Sequence, residues 1–213
     1  MIYKEIPFFE NTTDNTHCFQ ATLKMTLKYF LVEEDFSFEQ LDQITKKKEG
    51  LWTWPLAGAV WMQKKGFKVK SIDCFDFRKF IKKGGEYIIE EYGLEVGESQ
   101  IKNSDIEQEV TLAKQFLGMV DTEVRIPRKE DIQVLLEKGY VVTVNLNAQA
   151  LSNKEGYSGH SVVITGFSEE KILLHDPGIP GIPNREVSYD TFEKAWAYPG
   201  KKARNILAFK LEK

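Results

Sequence analysis

The hydrophobic residues of this chain change their spacing close to Val120, and that change restricts its fold more than any other feature of the sequence. Before it, apolar residues recur every three or four positions. Leu23, Leu27, Phe30 and Leu31 form one such set, Phe38, Leu41 and Ile44 a second, and Val110, Leu112, Ala113, Phe116 and Leu117 a third. Each set lays one apolar stripe along an α-helix, and each stripe must be buried. After Val120 come β-branched runs at 140–146 (YVVTVNL) and 160–167 (HSVVITGF), then further strand-like stretches at 171–175, 186–188 and 204–211. These have strand character. The expected fold is therefore α+β, with a mainly helical part at 1–120 and a mainly β part at 121–213 packing as two lobes of a single 1–213 unit.

Local signals place the elements. Residues 2–9 read as a short strand or extended lead-in. A helix runs from Cys18, and Ser37 with Gln40 three residues on forms a capping box for the next. Pro55 opens a helix that Gly66 stops, 67–75 alternates like a strand and carries Cys74, and Asp76 caps a helix ending at Gly84. Residues 86–118 read as helical, with Ser104 and Glu107 as a second capping box. A strand at 123–126, a helix at 127–138 ended by Gly139, and a helix at 189–197 complete the pattern. Trp52, Trp54 and Trp61 suit either a core or a substrate groove.

The charge pattern excludes several classes of partner. Formal net charge is −3 and the 29 lysines and arginines are spread along the chain. No basic stripe points to nucleic acid or to an anionic membrane surface. Residues 1–7 are too short and too mixed for a signal peptide, and no apolar run approaches the roughly 18 residues of a membrane span. A cytoplasmic protein is expected. Cys18 and Cys74 are the two cysteines, without a CxxC pair or a Cys/His cluster, so neither a metal site nor a cofactor is expected.

Chemistry is concentrated at three places. Cys18 stands between the polar loop 11–16 (NTTDNT) and an amphipathic helix. There the free N–H groups and the positive helix end favour the thiolate, which makes it a candidate nucleophile, although an inert buried cysteine would read the same. His160 follows Gly159 at the start of one strand, and Asp176 closes the next before Pro177 and Gly178. If those strands pair through the turn 168–170, His160 and Asp176 meet at one end of a hairpin, as a base and the group that orients it. Each alone equally fits a satisfied hydrogen bonder or a turn residue.

A cysteine at a helix start, then a histidine on a distant strand, then an acid one strand later is the order of papain-like cysteine peptidases. The words GHSVVITGF and ILLHDPG, with the Cys18 helix ending in Tyr29 and Phe30, and the late Phe192 and Trp196, resemble the bacteriocin-processing endopeptidase-like family in a free-standing form without an ATPase module. That resemblance implies a papain-like fold with the site in a cleft between the lobes. It implies Cys18 as nucleophile, His160 as general base and then acid, and Asp176 as the residue fixing the imidazole tautomer. A peptide or small amide would be the substrate, cleaved through a thioester. An acyl or amide transferase with the same three residues, or a binding module on the same fold, are the alternatives. The family carries a glutamine six residues before its cysteine as oxyanion donor; here Thr12 stands there, with Asn11 and Asn15 as neighbouring amides. Phe19 replaces the usual glycine after the cysteine and would narrow or reshape the groove.

Overall fold

The structure, a computed structural model, describes residues 2–212. In chain order its elements are β1 (Ile2–Tyr3), α1 (Cys18–Phe30), α2 (Phe38–Thr45), α3 (Leu56–Lys64), β2 (Phe67–Asp73), α4 (Phe77–Lys83), α5 (Gly85–Asn103) and α6 (Ile106–Met119). Then follow β3 (Asp121–Glu123), α7 (Lys129–Glu137), β4 (Val141–Asn147), α8 (Ala148–Leu151), β5 (Gly159–Phe167), β6 (Lys171–Asp176), β7 (Ile182–Ser188), α9 (Tyr189–Trp196) and β8 (Asn205–Leu211). Among the described residues no helix is long and apolar enough to cross a membrane.

One sheet carries the fold, in the order β3-β2-β8-β4-β5-β6-β7, with β1 added against β5. All pairings are antiparallel except β2 with β3. Strand β2, from the helix-rich part of the chain, lies inside this sheet against β8, so the two parts share one sheet. Alternation along the strands sends two sets of side chains to opposite faces. Phe67, Val69, Leu207 and Phe209 meet Phe19, Leu23, Leu27 and the apolar sides of α3, α4 and α6. Val142, Val144, Val162, Ile164 and Ile206 meet Ile132 and Leu136 of α7 and Phe192 and Trp196 of α9. Ala21 and Met25 of α1 lie on Val141 and Val163, which seats that helix across the middle of the sheet.

Four local expectations are corrected. The long helical stretch is broken at Gly93, whose φ of 80° and ψ of 174° no helix contains. Its two halves fold back so closely that a Cβ on Gly97 would lie 2.6 Å from Ile89 Cγ1. Helix α6 is capped by Asp105 and not by Ser104: Asp105 Oδ1 accepts from the Gln108 N–H at 3.0 Å, while the buried Ser104 hydroxyl accepts from Trp54 Nε1 at 3.2 Å. Cys74 lies just past β2, which ends at Asp73. The strand expected at 123–126 is shifted to Asp121–Glu123, because parallel pairing with β2 sets its register and Arg125 is drawn out to Asp131.

Candidate active site

The polar loop before α1 is a dense hydrogen-bond network with one purpose, fixing where α1 begins. Asn11 Oδ1 accepts from the N–H groups of Thr12 at 2.9 Å and His17 at 2.8 Å. The His17 imidazole is held by Thr12 Oγ1 at 2.6 Å and by Asp14 at 3.0 Å on one nitrogen, and by Asp42 at 3.2 Å on the other. The N–H of Asn11 donates to the Pro177 carbonyl at 2.9 Å, which ties the loop to the turn after Asp176. Cys18 is thereby placed as the first residue of α1.

Cys18, His160 and Asp176 come together at one end of the sheet. His160 Nε2 lies 2.7 Å from Asp176 Oδ1, and the imidazole stands close enough to the Cys18 sulfur for each to shift the other's titration. With Nε2 committed to the carboxylate, the other ring nitrogen faces the thiol. Asp176 Oδ1 additionally accepts from the Gly178 N–H at 3.0 Å, the work of the aspartate-proline turn. Asp176 Oδ2 is held by Arg185 at 2.7 Å, and the same guanidinium donates to the Leu151 carbonyl at 2.8 Å. Nothing near Arg185 in the sequence marks it. It sits on β7 and meets Asp176 only because β6 and β7 pair.

Burial pushes the Cys18 thiol up, but the hydrogen bond and charge of His160, with backbone hydrogen bonds from Ser161 and Phe19, outweigh it and leave the thiol below its ordinary value. For His160 burial works against the charge, and Asp176 and Cys18 overcome it, so the imidazole is held well above its usual range. Asp176 is opposed by burial and carried well below the carboxylate range by His160, Gly178 and Arg185. The arrangement favours a thiolate beside an imidazolium. Cys74, raised chiefly by burial, is the opposite case.

A cleft of about 180 Å³ opens beside the sulfur, with Trp52, Trp54, Tyr157 and Tyr198 among its walls. Trp61 is elsewhere, against Phe36. Tyr157 is pinned by Gln100 Nε2 at 2.7 Å. Phe19 is part of the cleft lining, although its side chain is largely buried, 3% exposed, with the ring against Gly58 of α3. Asn11 and Asn15 are not part of the cleft lining, and Asn11 Nδ2 donates to Asn15 Oδ1 at 3.0 Å inside the loop. Thr12 is likewise engaged with Asp14 and His17.

A family model described as the Peptidase_C39 like family matches residues 87–204, more than half of the chain. The chain belongs to that family. The C39-like match contains His160 and Asp176 and starts downstream of Cys18, so the cysteine is joined to the other two by geometry. Among curated relatives, the uncharacterized protein YvpB of Bacillus subtilis (strain 168) is 31% identical over 105 residues, 43% of this chain and 41% of that protein. The chain thus spans less than half the length of this relative. Two solved structures share the fold. The peptidase domain of Streptococcus ComA, a bi-functional ABC transporter involved in a quorum-sensing pathway, aligns over 98% of this chain and 100% of its own, with a TM-score of 0.53 at 12% identity. A protein of Bacillus anthracis described as a C39-like peptidase aligns over 100% and 98%, with a TM-score of 0.51 at 17% identity. The C39-like chain therefore has the mixed α+β, papain-like architecture of those peptidases.

Proposed function

We propose that this C39-like chain is a cysteine peptidase or amide hydrolase in which Cys18 is the nucleophile, His160 the general base and acid, and Asp176 the group that orients the imidazole. The observation that carries the reading is the position of His160, bonded on one ring nitrogen to Asp176 and standing beside the Cys18 sulfur. The sulfur attacks the scissile carbonyl, and the imidazolium gives its proton to the departing amine as the C–N bond breaks. A thioester on Cys18 remains. Water, losing a proton to His160, then attacks the thioester carbon, and the thiolate leaves with the carboxylic acid product formed. The N–H of Cys18 at the open first turn of α1 is available to the developing oxyanion, where one donor is worth about 10²–10³ in rate.

The test is cleavage of a fluorescence-quenched peptide library, with products identified by mass. Cys18→Ala should abolish turnover, and His160→Ala should lower it by about 10²–10⁴. Turnover by the Cys18→Ala protein equal to that of the unaltered chain would sink the reading.

A further inference from the structure

The cleft beside Cys18 continues along the sheet, and its floor is a row of four polar residues. Ser161 on β5 is opposite Asn145 on β4, and Asp73 on β2 is opposite Asn205 on β8. Asn205 and Asn145 close the row through two side-chain bonds, of 2.7 Å to the Asn145 N–H and 2.9 Å from Asn205 Nδ2 to the Asn145 carbonyl. All four line the cleft. Three strand spacings separate Ser161, which touches the sulfur through its backbone, from Asp73, so the far end lies about 14 Å from the nucleophile.

That far end carries Phe75, whose N–H bonds Asp73, with Tyr92 stacked on the Phe75 ring and Trp54 edge-on to it. Among the described residues that line the cleft, Asp73 is the single carboxylate, and no lysine or arginine is present. Asp73 Oδ1 accepts from the Phe75 N–H at 2.8 Å, a local turn bond, and Asp73 takes part in no ion pair among the described residues. Lys202, the nearby cation, is spent on Glu91 at 3.2 Å. Burial raises the Asp73 carboxyl to about 7, with Glu91 adding to the push. A carboxylate held in an apolar recess without a cation is costly unless something charged completes it. Aromatic faces around it suit a cation as well.

Resting on the hydrolase reading, we propose that this recess binds a cationic side chain of the substrate, a lysine or arginine whose head group pairs with Asp73 beside Tyr92 and Trp54. An extended peptide rises about 3.3 Å per residue, so the cation belongs about four residues from the bond that is cut. The substrate class is a peptide with a basic residue at that distance on one side of the scissile bond.

N-acetylated fluorogenic peptides carrying either lysine or norleucine at each of several positions on the two sides of the cut bond test this in the full chain. The expected result is a preference for lysine of about tenfold or more in kcat/KM at one position and parity at the others. Asp73→Asn, which keeps the acceptor for Phe75, should bring that preference to within about twofold. A lysine preference that survives Asp73→Asn, or none at any position, overturns the proposal. The same peptides titrated by fluorescence anisotropy into Cys18→Ala protein separate the two readings. Lysine-selective binding there without turnover by the unaltered chain would overturn the hydrolase and keep the site, whereas turnover with charge-blind binding would do the reverse.

Discussion

Arg185 grips the outer oxygen of Asp176 at 2.7 Å while the inner oxygen of the same carboxylate holds His160 at 2.7 Å. The guanidinium fixes the carboxylate plane and bridges it to the Leu151 carbonyl of α8, so the imidazole is steered by a residue two strands away. Arg185→Met removes one partner of a largely buried pair and should cost about 2–4 kcal/mol in urea unfolding. Peptide turnover should fall further than the loss of folded protein explains, since Asp176 then has freedom to turn. Unchanged unfolding midpoints and unchanged turnover would remove Arg185 from the site.

The thiols should differ in how they titrate. With Cys18 lowered and Cys74 raised, iodoacetamide at pH 6 should alkylate Cys18 and leave Cys74 intact, as read by peptide mass mapping. In His160→Ala the forces lowering Cys18 are mostly gone and burial remains, so the midpoint of its alkylation rate against pH should move upward. A midpoint that stays in place would mean that His160 does not hold the thiolate.

Glu109 is a buried acid on α6 whose Oε2 has no hydrogen-bond partner among the described residues. Burial raises it from 4.5 to about 8. The folded chain therefore keeps a proton that the unfolded chain releases, and stability falls as pH climbs from about 4.5 to about 8, then levels. Glu109→Gln should be close to neutral at pH 5 and stabilising by about 2–4 kcal/mol at pH 8.5, measured by urea midpoints at the two pH values. Equal effects at both would contradict the burial argument.

Gly58 tests how tightly Phe19 is seated. A Cβ there would stand 2.8 Å from Phe19 Cε1, on the residue next to Cys18. Alanine is the better helix former by about 1 kcal/mol, yet Gly58→Ala should destabilise by about 1–3 kcal/mol through overpacking. It should also slow Cys18 alkylation at pH 6. A gain in stability would show that the ring moves aside freely.

Much of the architecture could be read before any coordinates. The capping box of Ser37 and Gln40 forms with both bonds present, and Asp76 caps α4 through the N–H groups of Arg78 and Lys79. These succeed because cap and helix lie within four residues of each other. Ser104 failed as a cap for a distant reason, since Trp54, fifty positions earlier, takes its hydroxyl. The hairpin bringing His160 towards Asp176 was legible from its short turn, whereas the irregularity between Ile164 and Gly166 in its register was not.

By itself the sequence determined the α+β class, the helix that starts at Cys18, the strand that starts with Gly159 and His160, and the aspartate-proline turn, because each is a matter of spacing and side-chain chemistry over a few neighbouring residues. Only the tertiary structure decided that β2 enters the sheet beside β8, that Arg185 supports Asp176, and that Asp73 ends up in the same cleft as Cys18. Those outcomes depend on which strands pair and in what register, and pairing is settled by burying both faces of one sheet at once, a condition that no short stretch of the chain contains.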